Sequence, residues 1–385
     1  MEKNNAKKIL VVFGGVSSER DISVITGVLT LNCIDRQKYI PVPLYVTDNA
    51  CFTGDKLFDL SFYKSRDLRD LDEAVLKVGS NELWISKRGK LKSAGEIYCA
   101  VNCCHGLNGE DGSVFGLLRL CGIPCASPDM LASSVYMDKC ASKIYLSGIG
   151  VKTVPYKTVT KAQYFADMEG VVSEVQKFGF PLIVKPARLG SSIGIKLAEN
   201  REKTFGAIEF ALRYDGKIII EKALQNFKEI NCAAYSANGK IITSECERPV
   251  SAGKFLSFED KYEGGAKHAA SSIFPADIDK EVSDEIKRIT ENVYRKTFVH
   301  GVIRIDYLLC DGEIYLNEVN TVPGSLAMYL FKDKTSDFKD MINELIDEGV
   351  RVHRDYVNGT FNHPADVFGN ISSKLKGANR STDKK

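Results

Sequence analysis

The chain has almost no net charge to direct it toward a polyelectrolyte. Its 52 Lys and Arg stand against 50 Asp and Glu, a formal +2 over 385 residues. No electrostatic field therefore selects nucleic acid or an anionic membrane. No apolar run approaches the roughly 20 residues of a membrane-spanning helix, so membrane insertion is not expected. The stretch MEKNNAKKILVVFGG passes from a basic tip straight into a strand and a Gly-Gly turn. It lacks the long apolar region and small-residue cleavage site of a secretory signal. No CxxC pair occurs, which removes the usual zinc spacing, and Cys103-Cys104 beside His105 does not restore it. The 11 cysteines are odd in number and lie mostly inside apolar segments. That is the pattern of reduced thiols in a cytoplasmic protein, not of a disulfide framework. The P-loop pattern GxxxxGK[ST] is missing, and Gly14-Gly15 is not a GxGxxG dinucleotide fingerprint. The two Asn-x-Ser/Thr sequons, at 358 and 370, read as chance matches.

What is present is an ordinary globular composition, 44% hydrophobic and 26% charged, with length for two or three domains. The most informative stretch is GVIRIDYLLCDGEIYLNEVNTVPG at 301–324. Two apolar-alternating segments flank an Asp-Gly turn, a strong hairpin signal. Glu318 and Asn320 are two apart and share a strand face. A three-residue bulged turn would set Asp306 opposite Glu318, with Arg304 on the same face. Carboxylates on strands are commonly a solvated face. Here the apolar flanks argue for burial, and three buried oxygen ligands need a cation. Oxygen-only ligands suit Mg²⁺ beside nucleotide phosphates.

The first third alternates strand and helix signals: a strand at 9–13, a turn at 14–20, a helix at 21–32, a strand at 97–103 and a helix at 114–121. Such alternation implies an α/β domain with a parallel, Rossmann-like sheet, and binding residues in loops at the carboxyl ends of strands. The Glu19 loop and His105 sit there. A second block, from about 137 to 228, holds helices at 139–148 and 163–178, a strand at 181–185, a loop at 186–192, a strand from 193, a helix at 203–214 and a strand at 217–222. A third block runs from 229 to 362, with strands from 229 to 247, a long aperiodic stretch at 249–272, and helices around 282–293 and 338–346. A stretch that long without a period is usually functional, often a lid. Residues 363–385 are polar and basic and read as a frayed tail.

Three further features carry chemistry. In KPARLGSSIG at 185–194, a buried strand ends on Lys185 and opens into a loop containing Gly190, Ser191, Ser192 and Gly194. Glycines admit a ligand close to the backbone, successive N–H groups form an anion nest, and the lysine is a point charge for phosphate. The segment IIIEKAL at 218–224 is an apolar strand running into a hinge, able to offer backbone groups to an adenine edge or to be an ordinary strand end. Lys261 and Tyr262, inside the long stretch, suit a lid closing over phosphates, or a solvated loop.

Taken in order, the motifs GGVSSERDIS (14–23), HGLNGEDG (105–112), MDK (137–139), KPARLGSSIG (185–194), DKY (260–262), RID (304–306) and NEVNTVPG (317–324) resemble the D-alanine–D-alanine ligases of the ATP-grasp superfamily. The resemblance covers roughly residues 8 to 345. It implies an ATP-grasp fold preceded by the Rossmann-like domain, with small-molecule substrates (D-alanine and ATP) and a homodimeric assembly. Lys139, Lys185 and Ser192 are then expected at the ATP phosphates. Glu221, Lys222 and Leu224 are expected at the adenine edge, and Glu229 at the ribose. Asp306, Glu318 and Asn320 are expected to hold two Mg²⁺ ions, with Mn²⁺ as a substitute. Glu19, within a Glu19–Ser191–Tyr262 set, is expected at the first D-alanine's ammonium, and His105 near its carboxylate. Lys261 would reach the γ-phosphate, and Arg304 with the Gly324 N–H would stabilise a tetrahedral oxyanion.

One departure bears on the acceptor. The family has more residues after Asn-Thr-x-Pro-Gly, ending in a serine that binds the second substrate's carboxylate. Aligning Met328-Tyr329 puts Ala327 at that place, with Ser325 as a substitute from another position. The expected activity is ATP-dependent ligation of two D-alanines through an acyl phosphate, for peptidoglycan synthesis. The alternative is the same chemistry with another acceptor, such as D-serine, another amino acid or a short peptide. A catalytically silent ATP-binding regulator and a nicotinamide dehydrogenase fit the motifs less well.

Overall fold

Residues 9–13 are apolar without alternation, and each is at most 3% exposed. A strand covered on both faces reads as a continuous apolar run, and β1 (Lys7–Gly14) is such a strand. The computed structural model describes residues 7–65, 67–250, 271–331 and 335–358. Packing divides the chain into Met1–Val350 and Arg351–Lys385. The fold below is that of the first unit. The described part of the second is helical, with Arg351 paired to Asp355 at 2.9 Å. Lys261, Tyr262 and the basic tail lie outside the described residues.

After β1 come α1 (Arg20–Cys33), β2 (Tyr39–Val46), β3 (Cys51–Thr53), β4 (Asp72–Lys77), β5 (Ser80–Lys87), β6 (Lys90–Glu96) and β7 (Cys99–Asn102). They form a sheet in the order β6-β5-β4-β3-β2-β1-β7. The expected parallel pairing holds for β2, β1 and β7. From β2 to β6 the sheet continues as an antiparallel meander. Its last hairpin turns on Arg88-Gly89, both at positive φ (50° and 75°), as a two-residue turn with right-handed strand twist requires. Helix α1 lies on β1 because position 27 is glycine. A Cβ there would stand 2.3 Å from Phe13 Cγ.

Helices α2 (Ser113–Leu120), α3 (Met130–Met137) and α4 (Lys139–Gly148) lead to the second sheet. Asp138 caps α4, its carboxylate accepting the N–H groups of Cys140 and Ala141 at 3.0 and 3.1 Å. The second sheet comprises β8 (Tyr156–Thr160), β9 (Leu182–Pro186), β10 (Lys196–Ala198) and β11 (Lys217–Lys222), in the order β10-β9-β11-β8. Helices α5 (Lys161–Ala166), α6 (Met168–Val175) and α7 (Arg201–Ala211) share its apolar core. The single helix expected at 163–178 is broken at Asp167. That residue leaves helical geometry (φ −154°, ψ 75°) and its side chain caps α6 through the Gly170 N–H. An Asp that can bond its own downstream backbone competes with helix continuation.

The third sheet holds β12 (Lys228–Ala237), β13 (Lys240–Thr243), β16 (Ile303–Cys310) and β17 (Glu313–Asn320), in the order β13-β12-β16-β17. Between them in sequence, β14 (Arg248–Val250) and β15 (Ser271–Ile273) pair with each other, and α8 (Lys280–Lys296) packs on the sheet. The stretch read as aperiodic therefore has paired strands at both ends. Helix α9 (Thr335–Val357) follows, and its Met341, Ile342, Leu345 and Ile346 join the core beside α1.

Candidate active site

The β16–β17 hairpin organises the site. Its turn is the two-residue Asp311-Gly312, with φ of 51° and 77°, not the three-residue loop expected. Asp306 still faces Glu318, and Arg304 faces Asn320. The reason lies four residues from the turn. Tyr307 pairs with Leu316 but Asp306 pairs with Glu318, so Asn317 is an extra residue, a bulge. The bulge aims Asn317 at the second sheet, where its Oδ1 accepts from Lys185 Nζ at 3.3 Å. On the site face, Arg304 grips Asp306 through two N–H···O bonds of 2.8 and 3.0 Å. Burial would lower the Arg304 pKa, but Asp306 raises it far above its usual value. Asn320 Nδ2 donates to Asp306 at 3.1 Å.

Asp306, Glu318 and Asn320 are oxygen-bearing side chains on one face, a donor set that suits a hard divalent cation. Among the described residues no cluster of three or more His, Cys, Asp or Glu occurs. The remaining oxygen of the expected set is that of the Asn320 amide, whose Nδ2 is turned to Asp306. Glu318 is also held within 3.6 Å of Lys139 Nζ.

Lys139 opens α4 and Lys185 lies near the end of β9. Lys139 Nζ donates to Leu189 O at 2.7 Å, which ties the helix start to the Gly-Ser loop. In that loop Ser191 and Ser192 both take positive φ (51° and 60°). Ser191 Oγ donates to the Glu19 carboxylate, so the loop after β9 meets the loop after β1. Beneath Lys185 lies Glu221, expected at the adenine edge but buried here between two lysines. Glu221, 3% exposed, accepts Lys185 at 2.6 Å and Lys143 at 2.7 Å. Burial alone would push the Glu221 pKa up, but the two ammonium groups hold it down at about 2. Lys143 is 1% exposed and also donates to Val154 O at 3.3 Å.

A cavity of about 600 Å³ is lined by Phe180, Leu224, Phe227 and Glu229. A second, of about 270 Å³, is lined by Lys139, Lys185, Ser191, Ser192, Asp306 and Glu318. They share Leu197, Phe227 and Glu229 as wall residues, so the recess by Phe180 and Leu224 runs into the one that sets Lys139 and Lys185 against Asp306 and Glu318. Lys222 turns aside and donates to Phe180 O at 3.2 Å.

Along the hairpin, a cavity of about 280 Å³ gathers Glu19, His105, Glu110, Arg304, Gly324 and Ser325. Tyr329 lines it as well, its hydroxyl 3.5 Å from Glu247 Oε2. Ala327, the residue aligned with the family's serine, is fully buried in the core instead. Burial pushes the His105 pKa down to about 4, so the imidazole is neutral at pH 7. Burial, reinforced by Glu19, pushes the Glu110 carboxyl up to about 8. Glu110 accepts the Gly106 and Val322 N–H groups at 2.9 and 3.1 Å.

Most of the expected residues thus line one groove and one small polar cavity, but Glu221, buried beneath Lys185, and Lys222, turned to Phe180 O, do not line the groove, and Lys261 and Tyr262 lie outside the described residues. Lys143, Glu110, Thr26, Asn317 and Tyr329 were not anticipated. Lys143 did leave a trace: it stands one turn after Lys139, on a helix whose Cys140 and Leu146 are buried.

The chain matches the family model of the D-ala D-ala ligase N-terminus over residues 8–128 and of the D-ala D-ala ligase C-terminus over residues 145–347. A D-alanine–D-alanine ligase of Thermosipho melanesiensis is 35% identical over 352 residues, 90% of this chain and 94% of the relative. One from Clostridium acetobutylicum is 33% identical over 89% of this chain and 97% of its own. Among solved structures, the D-alanine–D-alanine ligase from Helicobacter pylori superposes with a TM-score of 0.72 at 25% identity, covering 89% of this chain and 98% of that one. The VanG D-Ala:D-Ser ligase from Enterococcus faecalis superposes at 0.73 and 25% identity, covering 91% and 100%. With both family models matched in order and curated relatives this similar over nearly full length, the chain belongs to the D-alanine–D-alanine ligase family.

Proposed function

We propose that the protein joins two D-alanines into D-alanyl-D-alanine at the expense of ATP, supplying peptidoglycan synthesis in the cytoplasm. The observation that carries the reading is the hairpin wall. Asp306 and Glu318 line the recess that holds Lys139 and Lys185, while Arg304 and Asn320, on the same face of the hairpin, line the small cavity next to it. A phosphoryl group in one and a carboxylate in the other would meet along that face.

A carboxylate does not react with an amine at neutral pH. The donor carboxylate oxygen bonds to the γ-phosphorus of ATP as the bond to ADP breaks. The acceptor amine then attacks the acyl carbon, phosphate leaves with the C–O electron pair, and the amine's proton goes to phosphate or water. Lys139, Lys185 and Ser192 hold phosphate oxygens, and the recess by Phe180, Leu224 and Glu229 takes adenine and ribose. Glu221 acts from below, fixing Lys185. Asp306, Glu318 and Asn320 would hold two Mg²⁺ ions, or Mn²⁺, which neutralise phosphate charge when bound. Glu19, steadied by Ser191, takes the donor ammonium, and neutral His105 lies by the donor carboxylate. Arg304 and the Gly324 N–H stabilise the oxyanion. Ser325 lies by the acceptor, and keeping water from the acyl phosphate is the role the family resemblance implies for Lys261 and Tyr262, outside the described residues.

We read 1–136 as the substrate domain, 137–228 and 229–362 as the two ATP-grasp subdomains, and the assembly as a homodimer, which light scattering after size exclusion checks. The activity test is ADP release from MgATP with D-alanine alone, products identified by mass, against L-alanine and D-alanine plus D-serine. Dipeptide from D-alanine alone is expected. ADP release that requires a different acceptor would replace this reading.

A further inference from the structure

Directly after Gly324 the backbone does something rare. Ser325, Leu326 and Ala327 take φ/ψ of 50°/28°, 51°/28° and 51°/19°. Three consecutive non-glycine residues are left-handed, at a cost of roughly 1–2 kcal/mol each. Such a conformation persists only when its surroundings over-determine it, and it clusters at functional sites. Within the turn, the Leu326 N–H donates to Pro323 O at 2.8 Å.

Further restraint comes from the first sheet. Thr26, on α1 and fully buried, accepts the Ser325 N–H on its Oγ1 at 3.0 Å. The same oxygen lies 2.9 Å from His105 Nε2. Glu110 accepts the Val322 N–H, and Thr321 Oγ1 donates to Glu110 O at 3.4 Å. Thr26 Oγ1 receives the amide hydrogen of Ser325 and keeps its own proton and a second lone pair for His105 Nε2, so one hydroxyl joins the two groups. His105 also bonds the Val322 backbone. Gly324 is thus bracketed by two amides, 322 and 325, both held from the first sheet.

We infer that Thr26 is a positioning residue for the ligation step: its hydroxyl carries the position of His105 to the left-handed turn and so aims the Gly324 N–H. The inference rests on the proposed role of that N–H as an oxyanion donor. Thr26 touches no reacting atom in this arrangement; it acts through Ser325 and His105. Valine at 26 has the same shape and neither donates nor accepts, leaving the Ser325 N–H and His105 Nε2 without their partner. Serine keeps the hydroxyl.

The test compares wild type, Thr26→Val and Thr26→Ser, with ADP and dipeptide measured in parallel and the folded fraction determined by thermal melting. The function reading itself stands or falls on wild type forming one dipeptide per ADP. Given that, Thr26→Val should lose roughly tenfold to hundredfold in kcat, a fraction of an oxyanion donor's worth or all of it. KM for ATP should stay within about twofold, because Thr26, His105 and Ser325 are not among the residues lining the nucleotide groove. Its dipeptide-to-ADP ratio should fall below one, since an acyl phosphate that the amine attacks slowly is lost to water. Thr26→Ser should restore both kcat and ratio. Wild-type kcat and ratio in Thr26→Val would overturn the inference. So would a Thr26→Ser variant as impaired as Thr26→Val, or a loss that follows only the fraction unfolded.

Discussion

Replacing Lys143 by methionine removes one of the two ammonium groups that hold Glu221, keeps an unbranched side chain, and touches nothing exposed. The Glu221 carboxylate is buried, 2.7 Å from Lys143 and 2.6 Å from Lys185. Burial would raise its pKa above the ordinary 4.5, yet the lysines hold it at about 2. That depression favours the folded state at neutral pH, and the burial that lowers the Lys143 pKa offsets part of it. Lys185 remains in the variant, so the expected loss is about 2 kcal/mol, below that of stranding a buried ion entirely. The sign follows from the direction of the shift. A depressed carboxylate contributes fully above its unfolded pKa, and the contribution disappears as pH falls through the folded one. The gap in melting temperature between wild type and Lys143→Met should therefore be widest near pH 7 and narrow below about pH 4.5. A second effect falls on the site. With one lysine gone, the triad drops from a net +1 to neutral, and Lys185 has less charge to offer phosphate. The affinity for a non-hydrolysable ATP analogue should fall roughly tenfold by calorimetry, about 1.4 kcal/mol. The double variant Lys143→Met/Glu221→Gln should be less stable than Lys143→Met, because it leaves the buried Lys185 ammonium without its carboxylate partner. Wild-type melting and wild-type nucleotide affinity in Lys143→Met would refute the reasoning, as would a melting gap indifferent to pH.

Other perturbations separate roles within the site. Glu318→Gln should abolish turnover with little change in melting. Asp306→Asn should abolish it and also destabilise by about 1–2 kcal/mol, because the partly buried Arg304 loses its charged bidentate partner; equal melting of the two variants would contradict this distinction. Glu110 is pushed up to about 8 by burial and by Glu19, with Glu318 adding to it. The stability tied to its protonated form is present below pH 4.5 and is lost as pH rises through 8. The melting temperature should thus decline between pH 6 and 9 more steeply in wild type than in Glu110→Gln, and parallel curves would count against it. Gly27→Ala forces a methyl to within 2.3 Å of Phe13 Cγ, so α1 must shift. A loss of about 1–3 kcal/mol is expected in thermal melting, with activity declining as Thr26 moves.

How far the site was readable depended on whether a residue's role is local. Lys185 could be read because a buried strand running into Gly-Ser residues has few other uses for a lysine. The pairing of Asp306 with Glu318 came out as expected although the turn did not: the expected extra residue lies at Asn317 instead of in the turn. Nothing local distinguishes a bulge within the strand from one at the turn when the flanking pattern is Leu-Asn-Glu-Val. Thr26 was invisible for a different reason. On a helix whose buried face already includes Ser23, Gly27 and Thr30, one more small polar residue reads as packing. Its partners, Ser325 and His105, are remote in sequence. The helix expected at 163–178 failed at Asp167, where one side chain capping its own backbone outweighs a run of helix formers. The antiparallel strands β3 to β6 extend the first sheet without any helical crossover to signal them.

The extra residue in β17 also sets which substitutions the strand can tolerate. Leu316 and Val319 both pack into the core of the third sheet, although they are three apart, an odd separation that a regular strand places on opposite faces. Asn317 resets the phase between them. Before it, alternate positions counted from Leu316 face the core; after it, the same count lands on Glu318 and Asn320. A saturation scan of 313–320 should therefore show tolerance to polar residues that alternates, stumbles at 317 and resumes out of step. Deleting Asn317 would bring the count back into step: Leu316, Glu318, Val319 and Asn320 would alternate as in a regular strand, with Glu318 still opposite Asp306 and Val319 still in the core, and the loss would be confined to the Asn317 contact with Lys185.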